Sequence, residues 1–271
     1  MATRAVWCQK SFGGALNSVE EQHWRAVVEN PFSANLMTVK EFIEKCSLTH
    51  CMVNDVVFVG TFASHQDYQM FVQAIKTLSS LRRFAIVDAH VNMFQFMLQS
   101  TMTAITDIAF RSCRLSQVPV NLLMFVGFQL QSIDLSNNYL RDLTTLSNLF
   151  GNNHKLLKVD LSRNQFSTFP LVLSIVSSLT TLDISHNRLS RIETDDISRL
   201  VSLKHLDLSN NCDLKELPDE LFALPSLNHM DLTGLNSLVR PPYSLAKNGL
   251  QAIKKYYADK AKKGWLEGKK V

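Results

Sequence analysis

The chain has 271 residues, of which 46% are apolar, and carries a formal net charge of +4 at pH 7. Its mean hydropathy is close to zero, and no stretch reaches the ~18 uncharged apolar residues of a membrane-spanning helix. These values argue against an integral membrane protein and predict a soluble chain with a large core.

The first segment, MATRAVWCQKSFGGALNSV, contains Arg4 and Lys10 and has no acidic residue before Glu20. This composition is compatible with a mitochondrial targeting segment and lacks the apolar centre of a secretory signal. Because the printed chain retains Met1, we favour an uncleaved, cytoplasmic protein. A mitochondrial location is the alternative, and the sequence also leaves a cytoskeletal or ciliary location open.

Two short helices are predicted next. The segment EEQHWRAVVEN, which follows Ser18, is amphipathic and places Trp24, Val27 and Val28 on its inner side. Thr38 and Glu41 have the spacing of a capping box that opens the helix FIEKCSL. We expect residues 1–52 to form a helical N-terminal cap that shields the open edge of the first strand.

A repeat beginning with LQSIDLSNNYL at Leu130 dominates the rest of the sequence. It recurs as LLKVDLSRNQF, LTTLDISHNRL, LKHLDLSNNCDL and LNHMDLTGLNSL, and the same phase runs back through Ile105, Leu81 and Val53. The steps of 23 to 28 residues are those of a leucine-rich repeat. About eight repeats over residues 53–240 are therefore predicted to stack, each as one strand and a return segment.

The return segments are predicted to differ along the array. HQDYQMFVQAIKTLSSL, at residues 65–81, has helical periodicity. FSTFPLVLSIVSSL and LKELPDELFALPSL are shorter and contain Pro170, Pro218 and Pro225, which favours tighter turns.

Two further features support the repeat. Positions four and six of each unit alternate with polar residues, as a half-buried strand requires. Position nine carries an asparagine whose inward amide is expected to satisfy backbone groups: Asn138, Asn164, Asn187 and Asn211. Earlier repeats have Cys113, Ala89 and Thr61 there, of which the cysteine is an accepted substitute.

Residues 241–271 are predicted to form a basic helical C-terminal cap and tail. Pro241 and Pro242 end the repeat, and Ser244 is the expected N-cap of a helix. The apolar side of that helix consists of Leu245, Leu250, Ile253 and Tyr257.

The LDLSxN cores, with ELPDELFALPSL and the closing PPYSLAKNGLQAIKKYY, resemble intracellular leucine-rich repeat proteins, including Ras-signalling scaffolds and their plant relatives. The resemblance covers about residues 53–257. It implies an α/β leucine-rich repeat solenoid with a curved, parallel concave sheet and helical caps. It does not select a function, because members of this superfamily are adaptors, inhibitors, receptors and assembly subunits.

The five cysteines are scattered and odd in number, and neither end has the paired cysteines that usually cap extracellular leucine-rich repeat proteins. A reducing compartment is therefore expected. Cys46 and Cys51 are close in sequence, but a structural role as buried thiols is favoured over metal binding.

Alternation places positions three, five and seven of each repeat on the concave surface. Position five is a column of like charges that should attract a cationic partner segment or bond sideways to neighbouring hydroxyls. Its members are Asp134, Asp160, Asp183, Asp207 and Asp231. His205 and His229 stand beside this column; solvated histidines are favoured there over a metal site or a pH sensor.

The early repeats carry a different surface. The expected concave positions are apolar, with two arginines beside them: Val57, Val59, Ala85, Val87 and Ala109, with Arg83 and Arg111. This patch either is covered by the N-terminal segment or is a partner site, and the sequence leaves both alternatives open.

Charge is distributed unevenly along the chain. Residues 240–271 contain nine Lys or Arg residues and two acids, which gives that segment +7 and the preceding chain −3. The basic helix interleaves Tyr256 and Trp265 with Lys254, Lys255, Lys260, Lys262, Lys263, Lys269 and Lys270. Contact with RNA, an acidic protein surface or anionic lipid is one interpretation; a solvated cap is the favoured one.

No glycine-rich phosphate loop, nucleophile elbow or metalloprotease motif occurs in the sequence. We therefore predict a protein that is not an enzyme and uses no cofactor or metal. The predicted function is a protein-protein interaction scaffold, a structural or accessory subunit of a larger assembly, which binds one or more proteins through its concave face. The alternatives are an RNA-associated subunit anchored by the basic helix and an accessory subunit of a mitochondrial complex.

Overall fold

The structure is a computed structural model. It describes residues 5–9, 18–31, 34–47, 53–62, 64–89, 104–118, 129–152 and 154–267. The chain groups into two compact units, Met1–Tyr139 (unit 1) and Leu140–Val271 (unit 2). The division into residues 1–52, 53–240 and 241–271 stays a prediction.

The described part of unit 1 contains five strands that pair in chain order. They are β1 (Ala5–Gln9), β2 (Asp55–Val59), β3 (Arg83–Val87), β4 (Asp107–Arg111) and β5 (Ser132–Asp134). Strands β2 to β5 are parallel, so that Val57, Ala85, Ala109 and Asp134 lie in one register row. The predicted stacking of one strand per repeat is confirmed.

Three helices lie in the residues of unit 1 that the structure describes, and all three were predicted. They are α1 (Ser18–Glu29), α2 (Val39–Ser47) and α3 (His65–Lys76). The predicted capping box opens α2: the Thr38 N–H donates to Glu41 Oε2 at 2.7 Å, and the Glu41 N–H donates to Thr38 Oγ1 at 3.2 Å. Phe71 of α3 packs on Phe58 of β2, with ring centroids 5.1 Å apart, on the inner side of the sheet.

The edge of β2 is covered by a strand, and the prediction that helices shield it was wrong. Strand β1 runs antiparallel to β2, pairing Ala5 with Val59 and Gln9 with Asp55. An extended segment can satisfy the free N–H and C=O groups of an edge strand, which a helix cannot do. Helix α1 instead covers one face of the sheet.

Unit 2 repeats a shorter version of the same arrangement. Its parallel strands are β6 (Lys158–Asp160), β7 (Thr181–Asp183), β8 (His205–Asp207) and β9 (His229–Asp231). Its return segments are 3-10 helices at Thr144–Leu146 and Leu171–Ile175, and the short helices α4 (Ser147–Asn152), α5 (Thr194–Ile197) and α6 (Asp219–Ala223). The prediction of tight turns in the later repeats is confirmed.

The core follows the predicted phase. The first residue of every repeat is buried: Val53, Leu81, Ile105, Leu130, Leu156, Leu179, Leu203 and Leu227. Positions four and six are buried as well, from Ile133 and Leu135 to Met230 and Leu232. Alternation therefore assigns the inner side chains correctly, and burial of these apolar rows drives the stacking of the repeats.

The C-terminal cap consists of α7 (Tyr243–Ala246) and α8 (Leu250–Glu267). Ser244 lies inside α7 and is not an N-cap, because the N-cap residue of this helix is Pro242. Gly249, with φ +82°, separates the two helices in a conformation that favours glycine. Leu250 and Ile253 are buried, and within the described residues no helix is long and apolar enough to cross a membrane.

The predicted asparagine ladder is present and buried. The Asn211 side chain is fully buried; its Oδ1 accepts from the Leu189 N–H at 3.1 Å, and its Nδ2 donates to the carbonyls of Ile184 and Leu208. Each amide thus joins the turn of its own repeat to the preceding one. At the same position Cys113 donates its thiol to the Ile86 carbonyl at 3.3 Å, so the cysteine takes over part of this role.

We predict that Asn211→Ala lowers the free energy of unfolding by about 2–4 kcal/mol, because the buried Leu189 N–H loses its acceptor and the Leu208 carbonyl loses a donor. The Ile184 carbonyl still accepts from Asn187 Nδ2 at 3.1 Å. Asn228→Ala, at an exposed position of the same unit, is the matched control and should have little effect. Urea unfolding followed by circular dichroism measures both, and equal midpoints for the two variants would contradict the structural role of the ladder.

Cysteine reactivity provides a second test of the core. Burial raises the pKa of the Cys113 thiol to about 12, so that at pH 8 only about one molecule in 10,000 carries the thiolate there. Cys212 is exposed. Iodoacetamide should therefore label Cys212 in the native chain and label Cys113 only after denaturation, as read by peptide mass spectrometry. Rapid native labelling of Cys113 would show that the core assignment is wrong.

Candidate functional site

The strands of unit 2 present one face away from the return segments, here called the unit 2 face. It is formed by position three and position five of β6 to β9. Position three carries Lys158, Thr181, His205 and His229, and position five carries Asp160, Asp183, Asp207 and Asp231. The two histidines are exposed and the four carboxylates are half-buried, so this face is polar throughout.

Each carboxylate of the unit 2 face is held by backbone. The Oδ1 atom of Asp207 accepts from the Ser209 N–H at 2.8 Å, and the other three aspartates make the same bond at 2.8 to 2.9 Å to the residue two positions on. The sequence left sideways bonds to hydroxyls open; the partner that all four carboxylates share is this N–H at the strand end. One oxygen of each carboxylate thereby terminates its strand, which gives the column a structural role.

The column is nevertheless a row of interacting charges. Burial is the main reason that the pKa of Asp207 is raised, and the neighbouring Asp183 and Asp231 raise it further, while bonds from Ser209 lower it. Like charges in register disfavour ionisation of the central member.

His205 and His229 stand side by side at the same register position of β8 and β9. Their ring centroids are 5.7 Å apart, and the rings are inclined by 47°. In the described part of the chain no group of three or more His, Cys, Asp or Glu side chains is placed to hold a metal ion. The pair therefore contributes two exposed aromatic and hydrogen-bonding groups to the unit 2 face.

In unit 1 the column begins with Asp134, which has a different environment. Its Oδ1 accepts from the Ser136 N–H at 2.8 Å, and Arg111 NH1 lies 3.7 Å from its Oδ2. Both side chains of this ion pair are partly exposed. Arg111 therefore offsets the charge of Asp134.

The apolar patch predicted in the early repeats is covered by helix α1. All five side chains are buried in one cluster with Trp24, Val27 and Val28: Val57, Val59, Ala85, Val87 and Ala109. Of the two alternatives left open, the structure has the covered one, because the inner side of an amphipathic helix fills an apolar face. As folded here, these residues are not an exposed partner surface.

Arg83 also belongs to this covered region, and its assignment to the exposed surface was wrong. Its guanidinium is buried and donates from Nε to Asp55 Oδ1 at 2.6 Å, while the Trp24 ring centroid lies 5.2 Å from its Cζ. Sequence reasoning overlooked Asp55 as the partner. The signal was present, since opposite charges occupy position three of two successive repeats.

The basic C-terminal helix is partly engaged within unit 2. Lys254 Nζ donates to the Leu227 carbonyl at 2.7 Å, and Tyr257 stacks on Phe222 at 4.7 Å between ring centroids. Lys255 and Tyr256 are exposed. Lys260, Lys262 and Lys263 lie in the helix but their side chains are outside the described part, and Lys269 and Lys270 lie outside the described residues.

Two family models match the sequence. The model described as "Leucine rich repeat" matches residues 177–238, and a second one with the same description matches residues 129–153. Both regions lie within the predicted array.

Among proteins of known sequence, the chain is similar to an adenylate cyclase of Schizosaccharomyces pombe, at 43% identity over 67 residues. The match covers 22% of this chain and 4% of that protein. The chain therefore spans only a small fraction of this relative's length.

Two solved structures are similar in fold. One is the leucine-rich repeat domain of APL1, at 20% identity, covering 60% of this chain and 40% of that one, with a TM-score of 0.45. The other is the TLR13–ssRNA13 complex, at 18% identity, covering 59% and 26%, also with a TM-score of 0.45. At these values neither structure carries an argument about function.

We predict opposite effects for two substitutions of Asp207. Asp207→Asn keeps an acceptor for the Ser209 N–H and removes the repulsion, so its urea midpoint should lie above that of the wild type at about pH 7. Asp207→Ala loses the acceptor and should lower the midpoint.

The pH dependence of this gain follows from the raised pKa of Asp207. The folded chain binds this proton more readily than the unfolded chain, so the wild type loses stability as pH rises through the carboxyl pKa. The advantage of Asp207→Asn should therefore be present at neutral pH and shrink as the pH falls through the carboxyl range, where the wild-type side chain becomes protonated. A lower midpoint for Asp207→Asn at neutral pH would rule out this account.

Proposed function

Because this chain is a leucine-rich repeat protein, we propose that it is a non-enzymatic binding module that docks a partner protein on the unit 2 face. Leucine-rich repeat domains generally mediate protein-protein interaction and are typically not enzymes. The observation that carries the proposal is the exposed His205 and His229 pair standing beside a regular row of four carboxylates.

Preorganisation supports this use of the unit 2 face. Asp160, Asp183, Asp207 and Asp231 are fixed by bonds to backbone N–H groups. They sit on strands whose registers are set by the buried rows beneath them. Little side-chain ordering then accompanies binding, which leaves more of the contact free energy for affinity.

Charge complementarity supports a partner segment rich in lysine or arginine. Four carboxylates are spaced by one strand each along the unit 2 face, with Lys158 at one end of the adjoining row. A basic segment lying across the strands would place its charges near successive carboxylates. Association should accordingly weaken as salt concentration rises.

An assembly role follows from the same argument: a rigid binding module acts by holding partners, and we infer that this chain is a subunit of a larger complex. The alternative, RNA anchoring by α8, has less support, because Lys254 is bonded to the Leu227 carbonyl. Lys255 is the exposed lysine nearest to it on the same helix.

The test compares two charge-matched variants of the full chain. His205→Arg with His229→Arg adds positive charge to the unit 2 face without touching the backbone-bonded aspartates. Leu171→Arg with Ile175→Arg adds the same charge to exposed positions of a return segment. We expect the first variant to raise the Kd for the partner at least about tenfold and the second to leave it nearly unchanged.

The partner is obtained by affinity purification of the tagged wild-type chain and identified by mass spectrometry. Its Kd for each purified variant is then measured by biolayer interferometry at two salt concentrations. Equal Kd values for wild type and the histidine variant, or an equal loss in the return-segment variant, would contradict docking on the unit 2 face.

A further inference from the structure

In unit 1 a helix of the chain itself occupies a strand face. Helix α1 contacts the outer side chains of β2, β3 and β4 through Trp24, Val27 and Val28. These residues follow the spacing i, i+3 and i+4, which aligns them along one side of a helix. The contact has the form of an amphipathic helix bound in an apolar groove, which is a common mode of peptide recognition.

The receiving surface is shaped for such a helix. Val57, Ala85 and Ala109 are register partners on three successive strands, and the two alanines leave a shallow floor. Val59 on β2 and Val87 on β3 lie next to these three residues and belong to the same buried cluster. We call these five residues the unit 1 face.

A buried ion pair borders the unit 1 face, and its chemistry resembles that of an interface. Asp55 and Arg83 are 1% and 2% exposed, and Trp24 packs against the guanidinium. Arginine and tryptophan are the residues that most often dominate protein interfaces, whereas permanently closed cores are filled mainly by apolar side chains. When the helix departs, both charges regain water, which offsets part of the cost of exposing the apolar side chains beside them.

The sheet has a second packed side that does not involve helix α1. Gln22, Ala26 and Glu29 are exposed, so the apolar contacts of the helix lie on its opposite side. On the opposite side of the sheet, Phe58 packs against Phe71 of α3 independently of α1. This contact of the inner core does not involve α1.

We propose that the unit 1 face is a receptor site for amphipathic helices and that α1 is its resident occupant. A partner helix with an aromatic residue at i and aliphatic residues at i+3 and i+4 exchanges with α1. This surface is distinct from the unit 2 face, and its occupant is a helix, whereas the partner segment proposed there is basic.

The test uses the full chain and a labelled peptide with the sequence of residues 18–29. Val27→Asp with Val28→Asp in the chain unseats α1 and leaves the unit 1 face unchanged. By fluorescence anisotropy, this variant should bind the peptide at least about tenfold more tightly than the wild-type chain, whose face is occupied. A control peptide carrying the same two substitutions should bind neither chain.

Three results would overturn the proposal. The first is equal affinity of the peptide for both chains, and the second is no binding by the variant. The third is loss of amide protection in β2 to β4 of the variant, because α1 would then be part of the fold rather than an occupant.

Hydrogen exchange in the wild-type chain tests the proposal without any substitution. Amides of α1 should exchange at least about tenfold faster than those of β2 and β3, since local release of the helix precedes opening of the sheet. Equal rates would mean that helix and sheet open together, which also overturns exchange with a partner.

Discussion

In-register stacking of one short strand per repeat is the constraint on which the other features depend. The strands of unit 2 contain only three residues each, so ladder hydrogen bonds alone satisfy few backbone groups. The buried asparagine amides and the aspartate carboxylates supply the missing partners where each strand turns away. The asparagine and aspartate side chains at these fixed positions therefore have a structural role that does not depend on any binding site.

The two units put the same strand positions to different uses. At position five, unit 1 begins with Val57, Ala85 and Ala109, whereas unit 2 has only aspartates. An apolar position allows a helix to cover the face, and a charged one would leave unpaired carboxylates beneath it at a large desolvation cost. The choice of residue at one repeat position thus decides whether a strand face is closed or open.

The sequence predicted the parts of the fold that recur or that carry a local signal. These parts are the buried rows, the asparagine ladder, the capping box at Thr38 and the helical periodicity predicted for residues 65–81, of which His65–Lys76 form α3. All of them depend on contacts between residues of one helix or of neighbouring repeats. Strand β1 was missed because five residues, Ala5–Gln9, have no period, and pairing with β2 is a long-range choice. Arg83 was wrongly assigned to the exposed surface, because the sequence at that position is the same for an exposed arginine and for a buried one. Only its pairing with Asp55 on the neighbouring strand distinguishes the two cases.

What covers the unit 1 face could not be predicted from the sequence pattern alone. Alternation shows that Val57 and Val87 point away from the return segments, but it does not say what lies over them. That answer depends on how an amphipathic helix outside the array docks, and the inner side of α1 would fit a partner's groove equally well. Sequence patterns thus define the two surfaces that must meet, while the pairing between them is a tertiary property.

The hydrogen bonds at the strand ends of unit 2 need an acceptor oxygen at position five, but they do not need a negative charge there. An asparagine would accept the same bond from the Ser209 N–H, yet position five of all four strands is an aspartate. Burial and the neighbouring carboxylates raise the pKa of Asp207, so the charge of this one member opposes folding. One carboxylate oxygen accepts the N–H that ends the strand, a bond that a neutral amide oxygen can also accept. The remaining effect of the charge is the electrostatic field that the unit 2 face presents to a cationic partner.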